Sequence, residues 1–323
     1  MHQSIKIIIV TFLSLQLYAS DKKPAPAPPL IFTKAEALNE NVSRIPFKVI
    51  DQLIVVEAEL LNKKGNFIID TGSETLILNS VHFKTTYKHF KRPKTKSGVN
   101  NSIDGVEEKT LDELRLQSLR LDKMNADVIN LSHIEKTKKM NLLGIIGYSI
   151  LKDFEVFIDM HLNQITLSRT DKKGNKLSKN VYAETIADSI DFKLKKHTII
   201  LQGYVGGRKL KFGLDTAAEF NQLNKDVDPK ILKYFYPTRQ LKLSGASGKK
   251  IKVLAGKLYR VSLNDSIYFG PMKTVVTNLK QMNEAFGTHL DGVLGFEFFL
   301  QKRTIINYKK RKLYFIKNPI ITN

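Results

Sequence analysis

The sequence predicts a mainly β protein of two similar lobes, and three observations lead to this fold class. Short apolar runs bounded by turn residues recur along the chain, which is typical of strands. An apolar strand runs straight into an acid twice, at Asp70 and at Asp215, 145 residues later. Residues 145–167 also align without a gap to residues 293–315, and each segment opens on two apolar residues and a glycine. A repeat of this length predicts two copies of one folding unit related by a pseudo-twofold axis.

The first 45 residues differ in composition from the rest of the chain. Residues 1–20 carry Lys6, a short apolar run and small residues near Ala19, the pattern of a secretory signal peptide. An uncleaved anchor is the alternative. Residues 21–45 include a proline-rich stretch with nothing to bury, so we expect a linker or pro-segment. The protein is therefore predicted to be exported, to the periplasm or beyond the cell.

The repeat sets the boundaries of the two lobes. We predict an N-terminal lobe over 46–170, with strands at 47–60 and 66–70, and a C-terminal lobe over 192–318. The polar stretch 171–191 is predicted to connect them. In the second lobe, the sequence 229–234 begins with proline and predicts a short helix.

Composition limits the chemistry that this chain can carry. The 323 residues are 42% apolar and 26% charged, as in a soluble globular protein. The chain has no cysteine, which excludes disulfides, thiol nucleophiles and thiolate metal ligands. The net charge of +21 is spread along the chain, and no nucleic-acid-binding pattern accompanies it. We therefore expect no nucleic-acid partner, although this charge would attract anionic envelope surfaces.

Two acids on equivalent loops can form a carboxylate pair. Like charges held close together cannot both ionise easily, so one carboxyl keeps its proton while the other acts as a base. Such a pair can activate water on one side of an amide and deliver a proton on the other. Neither lobe supplies both acids, so this chemistry requires Asp70 and Asp215 to face each other across the pseudo-twofold axis.

These motifs resemble those of the pepsin and retropepsin superfamily of aspartic peptidases, and most of all bacterial proteins with two retropepsin-like lobes fused in one chain. The resemblance covers both predicted lobes. It implies the acid-protease fold, in which two closed, barrel-like β lobes flank an active-site cleft. It also implies Asp70 and Asp215 as the catalytic pair, and threonine hydroxyls that reach the backbone of the opposite loop. The other implied site residues support the two loops or pack beneath them: Thr71, Gly72, Ser73, Thr216, Ala217, Ala218, Gly147 and Gly295.

The sequence departs from the family pattern in the second loop. Ala217 stands where the family usually has glycine, and it adds a Cβ where two loops approach closely. Ser73 could donate a hydrogen bond to Asp70, whereas Ala218 could not do so for Asp215. We therefore expect Asp70 to be the more acidic member of the pair.

Two glycine-bearing polar segments, 97–106 and 244–252, are predicted to be flaps over the cleft. The first lacks the tyrosine that pepsins carry on their flap, so it is closer to a retropepsin flap. The alternative is a pair of exposed hairpin tips with no functional role.

The sequence therefore predicts an aspartic endopeptidase that acts as a monomer on peptide or protein substrates without a cofactor. No histidine pair has the spacing of a helical metal site, so no metal is expected. A non-catalytic pseudo-peptidase that binds extended peptides in the same cleft is the main alternative. A structural protein of the envelope surface is a weaker one. Asp291 is expected to have a structural role, and Glu74 and Glu219 are expected to be exposed and without chemistry.

Overall fold

The computed structural model describes residues 30–83, 94–97, 102–178, 185–244 and 250–317, together with the short strand Ser14–Leu15. Almost all of the predicted signal peptide and the proline-rich run lie outside these residues. Within the described ranges, no helix is both long enough and apolar enough to cross a membrane.

The elements of the N-terminal half are, in chain order, β1 Ser14–Leu15, β2 Glu36–Asn39, β3 Val42–Pro46, β4 Lys48–Ile50, β5 Leu53–Leu60, β6 Lys63–Ile69, β7 Leu76–Asn79, α1 Ser80–Phe83, β8 Lys94–Ser97, β9 Ser102–Leu116, β10 Leu119–Ile129, α2 Ser132–Lys138, β11 Leu142–Ile146, α3 Tyr148–Leu151, β12 Phe154–Asp159 and β13 Gln164–Arg169.

The elements of the C-terminal half are β14 Ile186–Asp191, β15 Lys193–Lys195, β16 Thr198–Val205, β17 Arg208–Leu214, β18 Asn221–Asn224, α4 Pro229–Leu232, β19 Phe235–Ser244, β20 Lys250–Leu258, β21 Val261–Ser262, β22 Tyr268–Phe269, β23 Met272–Thr277, α5 Lys280–Phe286, β24 Gly292–Leu294, α6 Phe296–Gln301, β25 Thr304–Asn307 and β26 Lys312–Ile316.

The first lobe is built on a sheet with the strand order β4-β5-β6-β11-β7-β10-β9-β8. An additional pairing of β5 with β9, at Glu59 and Arg115, closes six of these strands into a barrel. The central strand β6 ends in a continuous buried run, as expected for a strand that is covered on both faces. This run delivers the chain to Asp70.

The second lobe repeats this plan. Its main strands follow the order β19-β20-β23-β18-β24-β17-β16, in which each strand has the place of its counterpart in the first lobe. In both lobes a parallel pairing next to the acid fixes the loop, β6 with β11 in the first lobe and β17 with β24 in the second. The mainly β, two-lobed fold class predicted from the repeat is confirmed.

A third sheet joins the two lobes. It has the order β14-β26-β25-β12-β13-β3-β2, and its central pairing joins β12 of the first lobe to β25 of the second. Phe157 pairs with Ile305 in this register, and both side chains are buried. Because both lobes contribute strands to one sheet, the lobes share a continuous backbone hydrogen-bond network.

Two segments outside the predicted lobes contribute strands to this joining sheet. The predicted linker or pro-segment 21–45 contains β2 and most of β3, and Val42 and Ile45 are buried. The proline run dominated the composition of that segment and hid the apolar positions that follow it. The predicted connection 171–191 likewise contains β14, an edge strand whose mostly exposed side chains made it resemble a loop.

Truncation of a side chain in β3 tests whether this strand belongs to the core. Ile45→Ala is expected to lower the free energy of unfolding by about 2–5 kcal/mol, because it leaves a cavity in the core beneath the joining sheet. Val49→Ala, at a position that is 38% exposed, is the control. Urea unfolding of both variants gives the comparison. Equal, small losses would show that β3 does not belong to the core.

The short helix predicted at 229–234 is confirmed over Pro229–Leu232. Its start is defined by the Asp228 carboxylate, which accepts a hydrogen bond from Lys230 N at 2.8 Å, and by a proline in the first turn. The predicted flaps lie on two antiparallel hairpins, β8–β9 and β19–β20. Their tips, 98–101 and 245–249, lie outside the described residues.

Candidate active site

The two acid loops meet at the boundary between the lobes. Asp70 N donates to Ile146 O at 2.9 Å, and Asp215 N donates to Leu294 O at 3.0 Å. Each acid is thus fixed by the strand that runs parallel to its own. Asp70 is fully buried and Asp215 is 4% exposed.

Four hydrogen bonds between Thr71 and Thr216 and the opposite loops hold the lobes together here. Each threonine hydroxyl accepts a hydrogen bond from the other threonine's backbone N–H, at 3.0 Å in both directions. Thr71 Oγ1 also donates to Leu214 O at 3.4 Å, and Thr216 Oγ1 donates to Ile69 O at 2.8 Å. These are the contacts that the resemblance implied for the two threonine hydroxyls. Both threonines are fully buried, so water does not compete for these bonds.

Gly147 and Gly295 lie directly beneath the loops. A Cβ on Gly147 would lie 2.5 Å from Thr75 O, and one on Gly295 would lie 2.1 Å from Ala218 O. Real Cβ atoms do not make such contacts, so only glycine fits at either position. The next backbone N–H of each segment then donates to the loop above it, to Ser73 O at 2.8 Å and to Ala218 O at 2.9 Å.

The Asp70 carboxyl is held by its own loop. Its Oδ1 accepts hydrogen bonds from Gly72 N at 2.8 Å and Ser73 N at 2.9 Å. Its Oδ2 is buried and accepts no hydrogen bond from the described part of the chain. Burial, followed by the charge of Asp215 and a side-chain hydrogen bond with it, raises the pKa of Asp70 well above its ordinary value. Because like charges this close cannot both ionise easily, the two carboxyls titrate as a pair.

The pKa of Asp215 is raised as well. Burial raises its pKa to about 6, and the hydrogen bonds from Ala217 N, the Asp70 carboxyl and Gly72 N oppose this rise. The prediction that Asp70 is the more acidic member lacks the hydrogen bond on which it depended. It relied on the Ser73 hydroxyl, which instead donates to Thr75 O at 3.2 Å.

Ala217 occupies a site that can accept its methyl group. The residue is fully buried in an apolar cluster whose other buried members all come from the first lobe, among them Leu53, Val55 and Ile68. The added Cβ therefore contributes an apolar contact across the lobe boundary. Gly72, the equivalent residue of the first loop, has no such space, because a Cβ there would lie 2.7 Å from Asp215 Cγ.

Gly72→Ala tests this close approach. The new methyl must displace the Asp215 carboxyl or the loop, and we expect a loss of about 1–3 kcal/mol in the free energy of unfolding. Gly270→Ala is the matched control, since a Cβ there meets nothing closer than 3.4 Å. Urea unfolding at pH 7 measures both. A loss no larger than the control's would contradict the tight packing of Gly72 against Asp215.

The structure also places residues whose roles the sequence did not reveal. The Tyr308 ring meets that of Tyr148 edge to face, with centroids 5.3 Å apart. Burial first, and then the charges of Tyr148, Asp70 and Asp215, raise the pKa of Tyr308 above its usual range. No sequence signal marked this tyrosine, because its counterpart in the first repeat is Met160.

The expectation that Glu219 is exposed is wrong. Its side chain is 3% exposed and forms an ion pair with Lys138, with Nζ and Oε1 2.7 Å apart. A carboxylate near a loop is usually solvated. Glu219 is buried because the other lobe packs against it, and the sequence does not show that contact. Glu74, its counterpart in the first loop, is half-buried. Asp291 has a structural contact, accepting a hydrogen bond from Lys211 N at 2.8 Å.

Comparison with solved structures defines the class of fold. An aspartic proteinase from Irpex lacteus superposes with a TM-score of 0.51 over 87% of this chain and 98% of its own, at 13% sequence identity. A basic 7S globulin from soybean gives a TM-score of 0.49 over 87% of this chain and 96% of its own, at 8% identity. The chain matches no protein-family model and no curated protein sequence. At these identities, the likeness to the proteinase shows a pepsin-like, two-lobed fold.

Proposed function

We propose that this protein is an aspartic endopeptidase that hydrolyses peptide bonds with a water molecule held between Asp70 and Asp215. The observation that carries the proposal is the carboxyl pair itself. Two buried acids from equivalent loops interact directly, and their pKa values are raised unequally. Buried carboxyls with perturbed pKa values are costly to a fold, and they are concentrated at catalytic sites.

The unequal pair assigns a role to each acid. Above about pH 6, Asp215 is ionised and serves as the general base that takes a proton from the attacking water. Asp70 keeps its proton and donates it to the carbonyl oxygen of the substrate as that oxygen becomes negative. The tetrahedral intermediate then collapses: one of its hydroxyls returns its proton to Asp70 as the C=O bond re-forms, the C–N bond breaks, and the leaving nitrogen takes up the proton from Asp215. Four interlobe hydrogen bonds at the two threonines hold the acids in place throughout.

Two further features support the proposal, one concerning the peptide substrate and one concerning the second acid loop. A hairpin of each lobe, β8–β9 and β19–β20, lies at the position of a predicted flap, and flaps of this kind can pair with an extended backbone. The Ala217 methyl packs in an apolar cluster, so it does not force the second acid loop away from the first. We also propose export and action as a monomer, on the basis of the N-terminal sequence and the fused lobes.

A peptide library tests the proposal. The chain from residue 21 onward is incubated with peptides of diverse sequence between pH 4 and 9, and products are identified by mass spectrometry. We expect internal cleavage at defined positions. A folded protein that binds these peptides without cleaving them at any pH would refute the peptidase and support the non-catalytic peptide binder.

A further inference from the structure

A buried ion pair connects the second acid loop to the opposite lobe. Glu219 lies four residues after Asp215 in the second lobe, and Lys138 is the last residue of helix α2 in the first. Their charged atoms are 2.7 Å apart, and the two side chains are 3% and 1% exposed. The contact therefore fixes the end of the Asp215 loop to a helix of the opposite lobe.

One more charged group takes part in the pair. Asp51, on the turn between β4 and β5, lies 3.4 Å from Lys138 Nζ, and its side chain is 61% exposed. Burial raises the pKa of Glu219, Lys138 lowers it, and Asp51 raises it. Lys138 and Asp51 are thus the charged groups that act on Glu219. The lysine is the only one of the two that favours the ionised carboxylate.

The pseudo-symmetry provides an internal comparison. Helix α5 is the counterpart of α2 and has the same length, but its last residue is Phe286. His197, on the turn equivalent to that of Asp51, packs edge to face on this phenylalanine, with centroids 5.4 Å apart. Burial lowers the pKa of His197 to about 4, so the imidazole is neutral at neutral pH.

In the second lobe, Phe286 and the neutral His197 thus fill the equivalent position without a charge. Buried ion pairs give little stability compared with well-packed apolar groups. Packing therefore does not explain why helix α2 ends in a buried lysine and helix α5 does not. The best-attested use of buried ion pairs is to fix one arrangement of a structure among several.

The loop between Asp215 and Glu219 is held firmly at both ends. At its start, Asp215 N bonds Leu294 O. Just beyond its end, Asn221 Oδ1 accepts a hydrogen bond from Gly295 N at 2.7 Å. Both of these contacts lie within the second lobe, so they do not set the position of the loop relative to Asp70. Across the boundary, the loop is held near the acid by the hydrogen bonds of Thr216 with Thr71 and Ile69, and at its far end by the Lys138–Glu219 pair.

We propose that Lys138 is a positioning residue: by holding Glu219 across the lobe boundary, it acts with the interlobe threonine hydrogen bonds to set the placement of the Asp215 carboxyl relative to Asp70. The kinetic part of this inference rests on the proposed peptidase function. The placement itself does not, because the two carboxyls titrate as a pair whether or not peptides are cleaved.

The test compares the variants Lys138→Met and Lys138→Arg with the wild-type protein. Titration of 13C-labelled aspartate carboxyls by NMR follows the Asp70–Asp215 pair, and peptide cleavage gives kcat and KM. Lys109→Met is the matched control, since Lys109 is a lysine of the first lobe that is only 2% exposed and donates to Phe83 O at 3.0 Å. It changes a buried lysine without touching the pair.

In Lys138→Met, we expect the pair to titrate about 0.5 pH unit or more away from its wild-type values, because its interaction depends on distance. We also expect kcat to fall about tenfold or more with KM nearly unchanged. Lys138→Arg should restore both values, and Lys109→Met should leave both as in the wild type. If Lys138→Met does not fold, Glu219→Gln decides, since it removes the charge and keeps the shape.

Two results would overturn the inference. One is an unchanged titration of the pair in folded Lys138→Met, or in folded Glu219→Gln where that variant decides. The other is an equal change in Lys109→Met. Absence of cleavage by the wild-type protein would refute the proposed function and not the positioning role, which the NMR titration then decides alone.

Discussion

Replacement of Asp70 by asparagine is expected to lower kcat/KM for peptide cleavage by a factor of about 10² to 10⁴, because it removes the proton donor of the pair. The fold should persist. The asparagine Oδ1 can still accept the hydrogen bonds that Gly72 N and Ser73 N donate to Asp70 Oδ1. Initial cleavage rates of one fluorogenic peptide, chosen from the library, measure the effect.

The same experiment can show whether the two acids act as one unit. Asp215→Asn should cause a loss of similar size, and the double variant should be no worse than either single one, since groups that act together are not additive. Asp226→Asn, at an exposed acid of the same lobe, is the control and should cleave at the wild-type rate. Full activity in Asp70→Asn would exclude the carboxyl pair as the catalytic group.

The free energy of unfolding of Asp70→Asn can be measured as well as its activity. The pKa of Asp70 is raised in the folded protein, so its ionisation costs folding free energy as the pH rises from the unfolded value of 3.8 toward the folded one. Asparagine does not ionise. The variant should therefore be at least as stable as the wild-type protein at pH 8, and a loss of activity there could not be attributed to unfolding.

The dependence of cleavage on pH is the second large effect that we expect. Below about pH 6, Asp215 becomes protonated and the general base is lost; above the raised pKa of Asp70, the proton donor is lost. Activity should therefore rise from pH 4 to above 6, with kcat/KM at pH 5 about tenfold below its maximum. The rates are measured in buffers of constant ionic strength.

Unfolding at acidic pH must be separated from this titration. The pKa of His197 is lowered to about 4 in the folded state, so this residue makes folding less favourable as the pH falls from about 6.5 toward 4. Circular dichroism at each pH shows whether the protein remains folded. An activity maximum near pH 3 in folded protein would contradict the raised pKa values of the carboxyl pair.

Much of the fold was accessible from the sequence because the repeat is local in its signals. Each acid follows an apolar run, and each apolar-apolar-glycine segment forms the strand beside it, so the pairings of β6 with β11 and β17 with β24 follow from two short patterns. The strands outside the predicted lobes could not be predicted for the opposite reason. β3 and β14 are strands only because the joining sheet supplies their partners, and those partners are distant in the chain.

The sequence by itself determined that the protein has two lobes and which residues form its candidate site: the two acids, their threonines and the glycines beneath them. Only the tertiary structure decided that burial raises the pKa values of both acids, that the Ala217 methyl is accommodated, and that Lys138 and Glu219 are buried together. The physical reason is that residue type and spacing specify local strands and turns, whereas pKa values and buried charges depend on desolvation and on partners from the other lobe. In this protein, those partners meet only where the lobes come together.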